Sequence, residues 1–300
     1  MRLLAPAKIN VYLRIVGQRP DGYHLLDSLM VPVNLYDEIS LAVVPMAHHD
    51  QSATARIVVT CDPPTVPEDE TNLAYKAAAL LCQEAGVQAR ITIHLQKRIP
   101  VGAGLGGGSS DAAAVLKGLN TLLALGFTEA QLGALAARLG ADVPFFIPCC
   151  PAQVQGIGEV LTPVPALPAR WLVLIVPPFG VSTPWAYQRF DALPQPEDAV
   201  TSVVPSWPTG QWPGPGGWVN DLERAVMPVY PQVDAIKQRL LHLGAAGALM
   251  SGSGSAVFGV FATLAAAQQA QEALAHAGAT FVVEPLAGPA THTSSETTLR

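Results

Sequence analysis

Hydrophobic and polar residues alternate near the start of the chain, which predicts a β-strand over residues 3–18. Ile9 and Val11 belong to an apolar row, and Lys8 and Asn10 belong to the polar row between them. Since successive side chains of a strand point to opposite faces, we expect Lys8 and Asn10 to share the face opposite the core. The same kind of pattern predicts further strands within residues 26–44, 55–62, 89–100, 170–178 and 256–261.

Segments whose apolar residues recur with a helical period lie between or after these strands. The helices are predicted at residues 66–86, 111–123, 128–140, 220–244 and 263–278. Thr128 is a candidate N-cap for the third helix, and Gly86 and Gly140 are helix stops. The irregular alternation of helix and strand predicts an α+β protein of two lobes, with the division near residues 148–170. We therefore assign residues 1–150 and 151–300 to two domains.

Composition is that of a folded globular protein, because 50% of the 300 residues are hydrophobic and only 13% are charged. The net charge of −6, without a cluster of Lys or Arg, argues against a nucleic-acid partner. A phosphate-bearing ligand remains compatible with this charge, since backbone amides and a helix dipole can hold an anion.

The cysteines and the apolar segments point to a reducing cytoplasm. Cys61, Cys82, Cys149 and Cys150 lack metal-ligand spacing and are expected to be reduced thiols. The amino terminus does not have the pattern of a signal peptide. Residues 243–271 are uncharged, but their glycines and serines favour turns over a membrane span, so no membrane association is expected.

The stretch "PVGAGLGGGSSDAAAVL", residues 100–116, holds five glycines ahead of a predicted helix. Gly102, Gly104 and Gly107 fit the dinucleotide fingerprint G-x-G-x-x-G, but the charged "QKRIP" before them is unlike the buried strand that the fingerprint follows. A Walker A loop would need a lysine before Ser109, and none is there.

Two interpretations of this stretch remain. It is either a tight turn between strand and helix, for which one or two glycines suffice, or a loop whose amides and hydroxyls cradle phosphate oxygens. The number of glycines favours the cradle. Asp111 is an unexpected neighbour for a phosphate, and it either caps the helix, faces away, or helps to position a magnesium ion.

These residues resemble the phosphate loop P-x-x-x-G-L-G-x-x-S-S of the GHMP small-molecule kinases, the family of galactokinase, homoserine kinase, mevalonate kinase and phosphomevalonate kinase. Further matches keep the family's order: "APAKINVYLRIVGQRPDGYHLLDSLM", "LGADVPFFI" and "SGSGSAVFG". The resemblance covers nearly the whole chain. It implies an amino-terminal lobe like domain 2 of ribosomal protein S5 and a ferredoxin-like carboxy-terminal lobe, with ATP and substrate in the cleft between them.

The resemblance also implies the reaction. The motifs are most similar to those of members that use ATP and Mg²⁺ to phosphorylate the 2-hydroxyl of a cytidine diphosphate-linked methylerythritol, a step in isoprenoid precursor synthesis. Another alcohol acceptor is the alternative within the family, and a non-catalytic nucleotide-binding module is the alternative outside it. We expect a monomer or a weak homodimer.

Site residues follow from matching the family's motifs to this sequence. Asp142 corresponds to the catalytic base, and Lys8 to the lysine paired with it. The implied ATP-binding residues are Asn72, Leu73, Lys97, Pro100, Val101, Gly102, Ala103, Gly104, Leu105, Gly106, Gly107, Gly108, Ser109 and Ser110, and Ser110 is also the candidate magnesium contact. The implied substrate-binding residues are Asn10, Tyr23, His24, Thr183 and Tyr187, with Trp185 competing with Tyr187 for the cytosine ring.

Overall fold

The amino-terminal half of the chain builds a mixed six-stranded sheet. A computed structural model describes residues 1–45, 55–194, 210–214 and 216–288. The strands are β1 (Arg2–Gln18), β2 (His24–Pro45), β3 (Arg56–Asp62), β4 (Ala89–Gln96), β5 (Ala152–Gly156) and β6 (Val160–Pro163). The first part of β2 pairs with β5 and its last part pairs with β4, while β1 pairs with β2 along both parts.

Helices cover one side of this sheet. They are α1 (Leu73–Ala85), α2 (Gly107–Leu122) and α3 (Glu129–Ala137), followed by a short 3₁₀ turn at Pro144–Phe146. The alternating row Ile91, Ile93 and Leu95 of β4 is fully buried in the core beneath α1 and α2, as its pattern predicts. Thr128 caps α3 through a complete capping box, which confirms the predicted cap.

The carboxy-terminal half forms a four-stranded antiparallel sheet. Its strands are β7 (Trp171–Val176), β8 (Gly247–Met250), β9 (Val257–Phe261) and β10 (Ala279–Val283). Its helices are α4 (Thr183–Asp191), α5 (Glu223–Val226), α6 (Pro231–His242) and α7 (Leu264–Ala273), followed by a short 3₁₀ turn at Ala275–Ala277. The spatial order β10-β7-β9-β8, in a chain that runs βαββαβ, is the ferredoxin-like arrangement that was expected.

Two expectations about this half need correction. The pattern did not predict α4, because the helix opens with Thr183-Pro184 and has a weakly apolar sequence. The single helix predicted at 220–244 is two helices, because Pro228 and Pro231 interrupt it. Residues 243–271 fold into β8, β9 and most of α7, and within the described parts of the chain no helix combines the length and apolarity needed to cross a membrane.

Strand β1 lies where the two halves meet. Ile9 and Val11 pack in a core shared with Leu174 and Phe258 of the second sheet. The polar row of β1 is buried as well, since Lys8 is only 3% exposed and fully buried neighbours flank it. A single alternating strand therefore has two buried faces, one apolar and one facing the cavity described below.

The predicted domain division at residues 150 and 151 remains a prediction. Strands β5 and β6 follow that point, yet they pair with β2 and with each other in the first sheet. The second sheet begins with β7. We propose that the division falls in residues 164–170, between the last strand of the first sheet and the first strand of the second.

Candidate active site

A cavity of about 310 Å³ lies where β1, the glycine stretch and the second lobe meet. The first lobe contributes charged and polar side chains to its wall, and the second lobe contributes α4 and a loop between β8 and β9. The lining residues that the sequence singled out are Lys8, Asn10, Leu73, Lys97, residues 100–109, Asp142, Thr183, Tyr187, Gly252 and Ser253. Most residues that the family resemblance brought together are thus neighbours in space.

The glycine stretch forms a loop that turns sharply into α2. Gly102, Gly104 and Gly106 have φ angles of 69°, 76° and 72°, a backbone conformation that favours glycine. A Cβ atom on Gly104 would lie 2.1 Å from the backbone carbonyl oxygen of Ser251 in the second lobe. The glycines are therefore needed both for the turn and for the close approach of the two lobes.

Helix α2 begins at Gly107, four residues before the predicted start at Asp111. Glycine is a poor helix former, so the propensity of the sequence places the start too late. A Cβ atom on Gly107 would lie 3.1 Å from a methyl carbon of Ile99, which explains the small residue here. The amides of the first turn have no partners within the helix, and Gly107, Gly108 and Ser109 line the cavity. This helix end is suited to an anion.

Lys8 and Asp142 lie next to each other in the wall of the cavity. The ammonium nitrogen of Lys8 lies 3.5 Å from Oδ2 of Asp142 and donates a 2.6 Å hydrogen bond to Oδ1 of Asn10. The Asn10 amide in turn donates to the hydroxyl of Ser28 at 2.8 Å. Lys8 is nearly buried, whereas the side chain of Asp142 is 35% exposed. A fixed cation thus stands beside a carboxylate that a ligand can reach.

Asp111 does not line the cavity, so of the three roles open to it from the sequence, the structure favours the one in which it faces away from the phosphate loop. Its Oδ2 accepts a 2.6 Å hydrogen bond from Lys97, whose ammonium also donates to Asp37 at 2.5 Å. Asp37 accepts two more bonds, from the backbone amides of Arg98 and Ile99. Asp111 therefore belongs to a buried cluster that ties the end of β4 to the first turns of α2.

Burial and mutual charge shift the protonation of this cluster. Burial raises the pKa of Asp111 to about 7, against the lowering effect of Lys97 and with a further rise from the charge of Asp37. Burial alone would lower the pKa of Lys97, but the two carboxylates outweigh it and raise the pKa above its ordinary value. Lys97 is thus held as a cation at the edge of the cavity.

A second glycine loop, residues 250–255, closes the cavity from the other lobe. Its Ser251 hydroxyl donates to the carbonyl of Gly104 at 3.0 Å, and its Ser253 hydroxyl lies 2.8 Å from that of Thr183. The buried Asn220 amide donates to the carbonyls of Met250 and Gly252 at 2.8 Å each. Asn220 was not predicted as a site residue, because its partners lie about thirty residues away in the sequence.

A second cavity, of about 560 Å³, adjoins the first and shares Leu26, Ser109, Asp142, Thr183 and Tyr187 with it. The lining residues found only in this cavity include Tyr23, His24, Pro184, Gln188 and Asp191. The shared carboxylate of Asp142 therefore stands at the junction between a cavity walled by glycine backbone and one walled by aromatic side chains.

The imidazole of His24 lies against Tyr187 in this second cavity, with 4.7 Å between ring centroids and 28° between ring planes. Its Nε2 lies 2.7 Å from a carboxylate oxygen of Asp191, which the sequence did not single out. Burial raises the pKa of Tyr187, and the nearby charge of Asp142 raises it further. Tyr23 is 60% exposed at the rim.

Trp185 has a different position from Tyr187. Its half-buried ring packs edge-on against Tyr230, with 5.5 Å between ring centroids, and it lines neither cavity. Tyr187 lines both cavities. Of the two aromatic residues that the sequence left open for stacking, Tyr187 is therefore the one that a ligand can meet.

Two predicted ATP-binding residues, Asn72 and Ser110, are not among the residues that line the cavity. Asn72 is the N-cap of α1, where its side chain accepts from the amide of Ala74 and donates to the carbonyl of Pro67. Ser110 is 1% exposed, and its hydroxyl has no hydrogen-bond partner among the described residues. Leu73, next to Asn72, does line the cavity. The predicted roles of these residues remain predictions.

Comparison with known families agrees with this geometry. Residues 72–148 match the model of the GHMP kinase N-terminal domain, and residues 215–280 match that of the GHMP kinase C-terminal domain. A homoserine kinase structure from Cytophaga hutchinsonii superposes with a TM-score of 0.73 over 96% of this chain and 95% of that one, at 21% identity, which shows a shared fold. Fold and site together define a GHMP kinase.

Relatives of higher sequence identity show which family of GHMP kinases this chain belongs to. The chain is 45% identical to a 4-diphosphocytidyl-2-C-methyl-D-erythritol kinase of Syntrophotalea carbinolica, over 94% of this chain and 98% of that protein. It is 44% identical to the enzyme of the same name from Citrifermentans bemidjiense, over 92% and 95%. A crystal structure of such a kinase is 38% identical, with a TM-score of 0.76 over 95% and 99%. The chain belongs to the 4-diphosphocytidyl-2-C-methyl-D-erythritol kinase family.

Proposed function

We propose that this protein transfers the γ-phosphoryl group of ATP to the 2-hydroxyl of 4-diphosphocytidyl-2-C-methyl-D-erythritol. The observation that carries the proposal is the pair of joined cavities, one suited to phosphates and one suited to a nucleobase, with Asp142 and Thr183 in the wall of both. This arrangement suits a reaction between two nucleotide-bearing substrates. Relatives of that name, about 45% identical over nearly the whole chain, support this acceptor over another alcohol.

The first cavity holds the phosphates of ATP. The loop of residues 100–106 and the first turn of α2 present backbone amides, which bind anionic oxygens without requiring net positive charge. Leu73 and Lys97 line the same cavity and belong to the nucleoside end. Asn72 contributes there by fixing the start of α1 rather than through its own amide, which is engaged in the cap.

Asp142 takes the proton of the attacking hydroxyl. Phosphoryl transfer depends mainly on positioning and on stabilising negative charge, and a carboxylate at the junction of the cavities meets the hydroxyl before transfer. Lys8, 3.5 Å from Asp142, offsets charge that develops on the transferred group. Asn10 holds the ammonium of Lys8 in place through its 2.6 Å hydrogen bond.

The second cavity holds the cytidine end. Tyr187 offers a ring for stacking, Tyr23 stands at the rim, and His24 supplies a hydrogen-bonding edge. His24 lies over one face of Tyr187, and the base lies beside the imidazole, within reach of its free ring edge. Thr183, which is held by Ser253, positions the diphosphate side of the substrate near Asp142.

Magnesium would neutralise phosphate charge in this reaction. Mg²⁺ is commonly held by substrate phosphates, water and one or two protein oxygens, so it does not require a protein cage. No group of three His, Cys, Asp or Glu side chains suited to a metal occurs within the described residues. The unpartnered hydroxyl of Ser110, in the first turn of α2, fits an oxygen ligand of this kind, and we retain it as the contact.

Measurement of ADP release over a panel of acceptors tests the function. Purified protein with ATP and magnesium is offered 4-diphosphocytidyl-2-C-methyl-D-erythritol, galactose, homoserine and mevalonate in parallel. We expect turnover with the cytidine compound and background rates with the others. Turnover with one of the other alcohols, and none with the cytidine compound, would show that the proposed acceptor is wrong.

A further inference from the structure

We propose that Asp191 is a positioning residue that makes the second cavity selective for cytosine over uracil, because it holds His24 with Nδ1 as a hydrogen-bond acceptor. The inference rests on the proposed function, since it requires a pyrimidine nucleotide in this cavity. It concerns a residue at the end of α4, 167 positions away from the histidine that it contacts.

The surroundings of His24 leave one edge of the ring for a ligand. The side chain is 11% exposed, one face lies against Tyr187, and Nε2 is 2.7 Å from Oδ1 of Asp191. None of the described residues forms a hydrogen bond with Nδ1. Asp191 and His24 both line the second cavity. A ligand in this cavity therefore meets the Nδ1 edge.

The carboxylate decides which nitrogen of the neutral ring carries the proton. An ionised Asp191 only accepts hydrogen bonds, so the proton of a neutral imidazole is held on Nε2 and the lone pair is left on Nδ1. An acceptor at Nδ1 matches the 4-amino group of cytosine, which is a donor. It opposes the 4-oxygen of uracil, which is an acceptor, and the mismatch leaves two buried lone pairs unpaired.

The position of Asp191 in α4 supports a functional role over a stabilising one. It is the last residue of the helix, where the helix dipole disfavours a negative charge. Its side chain is 43% exposed, and pairs as open as this contribute little to folding. Replacement of Asp191 should therefore leave the fold intact and act on the orientation of His24.

The test compares Asp191→Ala and Asp191→Asn with wild type on two acceptors, the cytidine compound and its uridine counterpart. Arg189→Gln, an exposed change on the same helix that removes one charge of the opposite sign, is the control for substitution in this helix. We expect Asp191→Ala to lower the preference for cytidine at least about tenfold in kcat/KM, mainly through KM. Asp191→Asn should retain part of the preference, because its amide oxygen can still accept from Nε2. The KM for ATP and the control variant should not change.

A second readout follows the tautomer itself. The ¹⁵N shifts of the His24 ring, measured by NMR at a pH where the ring is neutral, should show the proton on Nε2 in wild type and a mixture of tautomers in Asp191→Ala. An unchanged cytidine preference in Asp191→Ala, or a wild-type proton on Nδ1, would overturn the inference while leaving the kinase activity in place. If wild type phosphorylates neither nucleotide compound, the proposed function itself has failed.

Discussion

The two joined cavities use different chemistry, although they share one carboxylate. The first is walled largely by glycine backbone and a helix end, whereas the second is walled by the side chains of Tyr23, His24, Tyr187 and Asp191. Backbone amides bind phosphate in much the same way in many proteins, whereas a nucleobase is distinguished by rings and hydrogen-bonding edges. We therefore expect the first cavity to bind ATP and the second to select the acceptor.

The largest effect is expected where the cavities meet. Asp142→Asn removes the proposed base while keeping its size, so kcat should fall about 10²–10⁴-fold with little change in either KM. ADP release in single-turnover and steady-state assays measures this. Glu272→Gln, at an exposed position of α7, is the control for loss of one negative charge. If Asp142→Asn keeps near-native turnover, another group accepts the proton.

A substitution in the glycine loop should damage the first cavity more than the second. Gly104→Ala combines a positive φ with a Cβ atom 2.1 Å from the Ser251 carbonyl, so it must displace the second loop. We expect the KM for ATP to rise more than tenfold and the free energy of unfolding to fall by about 1–3 kcal/mol. Enzyme kinetics and denaturant unfolding measure the two effects.

Gly102→Ala is the matched control for that substitution. Gly102 has a similar φ of 69°, but nothing lies within 4 Å of its would-be Cβ atom. It therefore carries only the conformational cost, about 1 kcal/mol. Equal losses in the two variants would mean that the contact between the lobes is unimportant.

Tyr187 lines both cavities, but a substitution there should act mainly on binding of the cytidine substrate. Loss of the ring in Tyr187→Ala should raise the KM for the cytidine substrate about 5- to 150-fold, which corresponds to about 1–3 kcal/mol of stacking. Tyr187→Phe keeps the ring and should stay near wild type. The KM for ATP should be unaffected in both. A comparable rise in the KM for ATP would contradict the assignment of ATP to the first cavity and of the cytidine substrate to the second.

The smallest effect concerns the buried cluster behind the first cavity. Since the folded-state pKa of Asp111 is about 7, above its unfolded value, the folded protein binds more protons between about pH 4 and 7. This contribution to stability is greatest at low pH and is lost as the pH rises toward 7. Asp111→Asn lacks this proton binding. The difference in unfolding free energy between the variant and wild type should therefore change with pH between about 4 and 7. Urea unfolding at several pH values measures it, and a constant difference would refute the assignment.

Local pattern predicted much of the fold, and the exceptions have identifiable causes. The alternation of β4 and the cap of α3 were confirmed, because each depends on neighbours in the sequence. The start of α2 was predicted four residues too late, because the low helix propensity of glycine takes no account of the packing of Gly107 against Ile99. Helix α4 was missed, because its stability comes from burial of Ala186 and Phe190 in the second lobe.

The site was predicted unevenly for a similar reason. Lys8, Asp142 and the glycine loop lie in motifs that can be matched to a family, and the structure brings them together at one cavity. Asp37, Asn220 and Asp191 were not identified, since each acts through a partner distant in the chain. No short-range spacing marks such residues.

The sequence by itself determined the two-lobed α+β architecture, the glycine-rich loop that leads into α2 and the family, because these depend on local pattern and motif order. Only the tertiary structure decided that Asp111 faces away from the cavity, that Tyr187 rather than Trp185 reaches it, and that Asp142 is shared by both cavities. Each of these depends on contacts between chain segments far apart in sequence, and a linear pattern does not encode which way a side chain turns until those segments pack.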